Sequence, residues 1–181
     1  SGRVLPTGQA RDQLALSGGR RLTVSIVDAG NAVVFCLASE LGLKGTERPD
    51  EIEAHRELMD TLEDVRAITA ERLGIVSDRR DATRVSPGLP KVGFVAPPVR
   101  YQPAAGPELD PDTHDLQGRL LSMQTAHRSY AGAASIATVV AAAVPGTIVH
   151  ECARPRTDPS ALRIGNPAGV MHVSARMENR D

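Results

Sequence analysis

The sequence predicts an α+β domain: a largely antiparallel sheet curled round one buried helix, with a second, amphipathic helix laid over it. Three observations predict this. Short alternating or β-branched runs recur along the chain, at 21–27, 32–37, 90–96 and 116–123. The stretch 131–143 is small or β-branched almost throughout, and no charged residue stands between Arg128 and Glu151. The stretch from Asp50 to Leu73 sets Ile52, Leu58, Met59, Leu62, Val65, Ile68, Thr69 and Leu73 on one helical stripe.

Composition narrows the function classes. With 181 residues, 41% of them hydrophobic, the chain has material for one core. A net charge of −1 with the signs interspersed leaves no basic patch for nucleic acid. The aromatics Phe35, Phe94, Tyr101 and Tyr130 are too sparse for base stacking. Cys36 and Cys152 lack metal-ligand spacing and are expected as reduced, packed thiols of a cytoplasmic protein. No signal peptide is expected. Lys44 and Lys91 are the lysines, and the preference for arginine is taken as a codon-composition effect.

In chain order, residues 1–19 are polar and turn-rich and are expected to be a linker, leaving 20–181 as the domain. The segment 21–27 alternates Leu22, Val24 and Ile26 with Arg21, Thr23 and Ser25, the mark of a half-buried strand. A turn at Asp28-Ala29-Gly30-Asn31 leads to the more buried strand 32–37. Asn31 is either a turn residue tolerant of unusual backbone angles or an amide aimed at a ligand. Proline and acidic residues at 49–51 start a covering helix of about 23 residues, which Gly74 ends. His55, near its start, is expected to be solvated.

Residues 77–88 form a polar connection before the strand 90–96. The proline-rich loop 97–115 carries Glu108, Asp110, Asp112 and Asp115, whose spacing does not match a calcium loop, so these carboxylates are expected to be solvated. The strand 116–123 delivers the chain to the apolar helix, which Pro145-Gly146 stops after roughly 13 residues. A membrane span, which needs about 20, is therefore rejected. Residues 147–151 are expected to leave the helix as a strand, and 170–175 to close as another. At the start of the apolar helix, Gly132, Ala133, Ala134 and Ser135 leave backbone N–H groups uncovered. They are either an anion cradle, with His127, Arg128 and Ser129 just upstream, or ordinary close packing of small residues.

Several pieces in order resemble one family. They are Leu5-Pro6-Thr7-Gly8; the run from Val27 to Phe35 containing Gly30-Asn31; and Gly42-Leu43-Lys44-Gly45-Thr46-Glu47. Further on come Ser86 to Val95 with Pro90-Lys91; Ser122-Met123 followed by His127; Pro145-Gly146-Thr147; and Arg163 to Gly169. The set is similar to the 2-methylaconitate cis–trans isomerase and 4-oxalomesaconate tautomerase family. The resemblance implies the diaminopimelate epimerase-like fold: two pseudo-symmetric halves, each a barrel of mostly antiparallel strands around a central apolar helix. It covers only the C-terminal half of such a protein, without the last strand and helix that the resemblance implies.

The chemistry implied is cofactor-independent isomerisation of small unsaturated polycarboxylic acids, by proton removal beside a carboxylate-activated carbon and its return elsewhere on the allylic system. That requires a tuned base and donors for the enolate-like charge. The family's Cys-Gly-Asn and Ser-Lys motifs belong to its first half, and neither occurs here. No catalytic residue is therefore assigned to this chain, and the base is expected from the missing half. The resemblance carries over substrate binding to Asn31, Ser122, Met123, His127, Ala133, Ala134, Ser135, Gly165, Asn166, Ala168 and Gly169, with no metal and no cofactor.

Departures from the family pattern are Ala32 in place of proline, Ala133-Ala134-Ser135 in place of Thr-Gly-Ala, and Asn166 and Ala168 in place of histidine and serine. The expected partners are a polycarboxylate substrate and either the missing half or a second copy of this chain. The alternative is a non-catalytic binding module or self-pairing half-domain. Racemisation or epimerisation, related by fold, would require a cysteine where Tyr130 to Ser135 stand.

Overall fold

The structure, a computed structural model, describes residues 3–155 and 158–175. Eight strands form one sheet: β1 (Asp12–Ala15), β2 (Arg21–Asp28), β3 (Ala32–Leu37), β4 (Lys91–Ala96), β5 (Leu116–Ser122), β6 (Thr125–Ala126), β7 (Ala161–Asn166) and β8 (Gly169–Ser174). Their order is β1-β2-β3-β4-β5-β7-β8, with β6 hairpinned onto β5. Pairing is antiparallel except at β3–β4 and β5–β7, which are parallel. The fold class is thus mixed α+β as expected, but β1 and β8 remain separate edges and the sheet is not closed into a barrel.

A parallel pair demands a crossover, and both crossovers carry the helices. Between β3 and β4 run α1 (Pro49–Ala54), α2 (Arg56–Arg72) and α3 (Ala82–Val85); between β5 and β7 run α4 (Gly132–Ala143) and α5 (Ile148–Cys152). Because β5 runs opposite to β3, two crossovers of the same hand fall on opposite faces. The core divides accordingly. On one face Leu58, Leu62, Val65 and Ile68 of α2 pack on Val24, Ile26, Val34, Val92, Phe94 and Leu121. On the other, Ala134, Ala137, Val140 and Ala141 of α4 pack with Val33, Phe35, Val95, Leu116, Leu120 and Ile164. Strand alternation decides which residues go where: Val92 and Phe94 face α2, while Val95 faces α4.

Several expectations change. Residues 12–15 are strand β1, paired to β2, so the first 19 residues are not simply a linker; the described part of this segment begins at residue 3. The covering helix is two helices broken at His55. Its Nδ1 accepts the Leu58 amide at 3.1 Å and so caps α2, a role the stripe pattern could not show. Residues 148–152 are helical: the Thr147 hydroxyl accepts the His150 amide at 3.0 Å, and this cap overrides the β-branched composition that suggested a strand.

Gly165 and Asn166 belong to β7, so the 165–169 segment is half strand and half turn. Asp115 is buried rather than solvated, with Arg163 on its carboxylate at 2.7 Å. Glu108 and Asp110 pair with Arg100 at the surface. Residues 176–181 lie outside the described part. No helix among the described residues is long and apolar enough to cross a membrane.

Candidate active site

Three neighbouring strands deliver polar side chains to one end of the sheet. Val33 pairs with Lys91, and Val92 with Leu121, which sets Lys91 beside Ser122. Alternation then fixes the face. Residues 33 and 35, 93 and 95, and 116, 118 and 120 look toward α4, so Lys91 and Ser122, at the ends of β4 and β5, look the same way. The Lys91 Nζ donates to the Ser122 Oγ at 2.9 Å. Asn31 is half-buried in the β2–β3 turn, one strand away from Lys91.

His127 joins this end through its amide, which donates to the Leu120 carbonyl at 2.9 Å. Its Nε2 is buried and makes no hydrogen bond among the described residues. Burial, and then the Lys91 ammonium, push the imidazole below its usual pKa, so His127 is held neutral. Met123 and Gln124 have φ of 51° and 59°, a left-handed pair in the two-residue turn between β5 and β6. Such angles are costly for residues with a Cβ and concentrate where geometry serves function. The turn is held by the Met123 amide donating to the Pro87 carbonyl at 3.2 Å, and it leaves the Met123 side chain 65% exposed.

A buried arginine fixes the approach to Lys91. Arg66, on α2 and 1% exposed, makes a two-point pair with Glu63, at 2.8 and 2.6 Å, and donates to the carbonyls of Ser86 and Leu89 at 2.7 and 3.2 Å. It ties the covering helix to the loop from which Lys91 emerges.

The first turn of α4 begins five residues after His127. Gly132 and Ala133 are exposed, Ala134 and Ser135 are buried, and no side chain caps the helix start. The Ser135 hydroxyl is spent within the helix, donating to the Gly132 carbonyl at 2.7 Å. The uncovered amides, not that hydroxyl, are therefore what α4 offers an anion.

The β7–β8 turn lies further back along the sheet, since β7 runs parallel to β5 with Gly165 beside Gln117 at the start of β5, whereas Ser122 ends that strand. Its amides are already engaged: Asn166 N donates to the Tyr101 hydroxyl at 3.2 Å, and Ala168 N to Asn166 Oδ1 at 3.0 Å. Asn166 thus folds into its own turn, Ala168 is exposed, and Gly169 accepts from Tyr101. This segment therefore supplies few free donors. Behind it, Arg119 is buried and stabilised by carbonyl and amide oxygens. It donates to Glu47 O at 2.7 Å, Gly118 O at 2.9 Å and Gln117 Oε1 at 3.2 Å, and burial depresses its pKa to about 10.

The structure therefore gathers Asn31, Ser122, Met123 and His127 at one sheet end. It adds Lys91, to which the sequence assigned no role, together with the supports Arg66, Tyr101 and Arg119. The signal for Lys91 was present: it is one of two lysines and starts a strand.

The comparisons agree with this architecture. The chain is 40% identical over 174 residues to 3-methylitaconate isomerase of Eubacterium barkeri, covering 96% of this chain and 46% of that protein. It is 34% identical to 2-methyl-aconitate isomerase of Shewanella oneidensis, over 97% of this chain and 44% of that one. A crystal structure of methylitaconate-delta-isomerase superposes with a TM-score of 0.93 at 38% identity, over 98% of this chain and 46% of that one. The chain thus spans about half the length of the relatives it matches. The family described as PrpF protein matches residues 1–181, and the chain belongs to that family.

Proposed function

We propose that the protein containing this chain is an isomerase of small unsaturated carboxylic acids, moving a double bond by proton removal and return without a cofactor. This chain would be one of two epimerase-like halves, with α4 as its central helix. The observation that carries the reading is the Lys91–Ser122 pair on the α4 face, with Asn31 in the neighbouring β2–β3 turn, in a chain whose relatives are named methylaconitate and methylitaconate isomerases. Carboxylates are matched by the Lys91 ammonium and the uncovered first-turn amides of α4. The Asn31 amide and the neutral His127 orient the acid. The other half of the protein covers the site. The buried thiols suit a reducing compartment such as the cytoplasm.

The test is incubation of the full-length protein with 2-methylaconitate and with methylitaconate, followed by proton NMR in D₂O. Double-bond migration with deuterium entering the product is expected. Asn31→Ala should raise KM or lower kcat by about tenfold, the cost of one charge-assisted hydrogen bond. A protein that binds these acids without converting them would instead be the non-catalytic module. The engaged amides of the 165–169 turn favour that second reading.

A further inference from the structure

We propose that His114 is an acid-sensitive latch between β5 and β7: neutral, it holds the β7–β8 hairpin against the rest of the sheet, and protonated, it releases that hairpin.

The seam beside His114 is narrow. Among the described residues β5 pairs with β7 at Leu116–Ile164 and Gln117–Gly165 alone, whereas β4 and β5 pair all the way from Val92–Leu121 to Ala96–Gln117. His114 is fully buried at that seam. A Cβ on Gly165 would stand 2.8 Å from His114 Cδ2 and 2.9 Å from Gln117 Nε2, so the bare Cα of β7 rests on ring and amide together. In close-packed surroundings, rotating either group displaces β7.

The polarity of the contacts fixes where the ring carries its proton. Arg119 has only donors, so its Nη1, 3.2 Å from Gln117 Oε1, sets the oxygen of that amide toward itself. The amide nitrogen then donates on its other side, to Val99 O at 3.4 Å and to His114 Nε2 at 2.9 Å. Nε2 is therefore the bare, accepting nitrogen. The proton sits on Nδ1, 3.0 Å from Thr113 Oγ1, whose own proton goes to Asp110 O at 2.7 Å. From guanidinium to backbone carbonyl every donor meets an acceptor, and no member can be reversed alone.

A solvent proton bound at Nε2 breaks this order, because N–H would then face N–H across 2.9 Å. Turning the Gln117 amide over would relieve His114, but it would set the amide nitrogen against Arg119 and the amide oxygen against Val99 O. The charges around the ring give no relief. Arg154, Arg163 and Arg119 oppose an imidazolium, and Asp115, which favours one, already holds Arg163 at 2.7 Å. Tyr101 meets the ring edge-on, and burial keeps its phenol protonated. The charged ring is accommodated once it leaves this enclosure, which opens the β5–β7 seam. Opening also parts Arg119 Nη1 from Gly165 O, 3.4 Å away, and strains the Tyr101 contacts to Asn166 and Gly169.

The experiment uses the full-length protein. Histidine-selective ¹⁵N labelling should show the His114 proton on Nδ1 at pH 7.5. Hydrogen exchange, corrected for its intrinsic pH dependence, should show opening of β7–β8 rising by up to about tenfold per pH unit from 6.5 down to the His114 midpoint, with β2–β3 unchanged. The sign follows from a closed form that resists the proton: the latch is complete well above 6.5 and weakens below it. Gln117→Glu offers carboxylate oxygens to both an Nε2–H and Arg119. It should raise the His114 midpoint above the wild-type value and abolish the acid-induced opening. An Nε2–H tautomer at pH 7.5 overturns the latch. So does β7–β8 exchange that stays flat below 6.5, or that rises only together with β2–β3. Should Gln117→Glu fail to fold, the wild-type tautomer and exchange profile decide.

Discussion

The Tyr101 hydroxyl donates to the Gly169 carbonyl across 2.6 Å. The same oxygen accepts the Asn166 amide at 3.2 Å, so one phenol clasps both strands of the β7–β8 hairpin at its turn. The ring is set by the Arg119 guanidinium, 5.8 Å from its centroid, and by an edge contact from His114 at 5.4 Å between centroids. Tyr101→Phe keeps the ring and removes the clasp, leaving the buried Asn166 amide without its partner. The expected loss is about 1–3 kcal/mol, the cost of an unsatisfied buried donor. It is read as a lower urea midpoint at unchanged slope. A midpoint equal to wild type would mean that the turn does not depend on the phenol.

Gly93, in the middle of β4, is tight for reasons of space and not of conformation. A Cβ there would lie 2.6 Å from the Arg119 carbonyl oxygen and 2.8 Å from Leu120 Cδ2. The first contact is backbone in the paired strand and cannot swing aside. Gly93→Ala is therefore expected to cost about 1–3 kcal/mol. The control is Gly132→Ala at the start of α4, where an added methyl meets nothing within 4 Å. Its melting temperature should stay close to wild type. Equal melting temperatures for the two variants would contradict the packing described for β4 and β5.

Much of this fold was legible because hydrophobic period and local punctuation agree. β3 was read at its observed bounds, since the run Ala32 to Leu37 has no competing pattern. The apolar helix was read within a residue of α4, because Pro145 leaves no other stop. Failures came where a side chain outvotes composition. The Thr147 cap turned an apparent strand into α5, and the His55 cap split one stripe into two helices without changing its buried face. For the candidate site, motif order singles out Asn31, Ser122, Met123 and His127 as candidates. The contact between Lys91 and Ser122 spans 31 positions and depends on the β4–β5 register, which no local signal encodes. Sheet closure is equally nonlocal, and the expected barrel is an open sheet.

Cys36 and Cys152 should be inert in the native protein. Both are free and buried, and burial pushes their thiols up to about 12 and about 11 respectively. The thiolate, the reactive species, is thus scarce at neutral pH and also inaccessible. Iodoacetamide at pH 7.5 should leave both peptides unlabelled by mass spectrometry, and label both after denaturation. Native labelling of Cys36 would show that the β2–β3–β4 layer opens on the labelling timescale.

Stability should weaken as the pH falls below 6.5, with histidine as the cause. His127 is held below its usual value by burial and by the Lys91 ammonium. His114 is held below 6.5 by burial and by Arg154, Arg163 and Arg119, with Asp115 acting the other way. It also sits in a chain of contacts to Thr113 Oγ1 at 3.0 Å and Gln117 Nε2 at 2.9 Å. In both cases the folded state resists a proton that the unfolded state takes up near 6.5. The unfolded chain then binds more protons below that pH, and stability rises with pH through this window. Well above 6.5 both states are neutral at these sites and the slope vanishes. Urea midpoints should therefore be flat from pH 8 to 7 and fall from pH 6.5 toward 5. Replacing His127 with Gln should remove part of that slope without touching the plateau. Imidazole proton resonances give the independent check: both histidines should titrate with midpoints below 6.5. A midpoint at or above that value for His127 would mean that Lys91 and burial do not govern it.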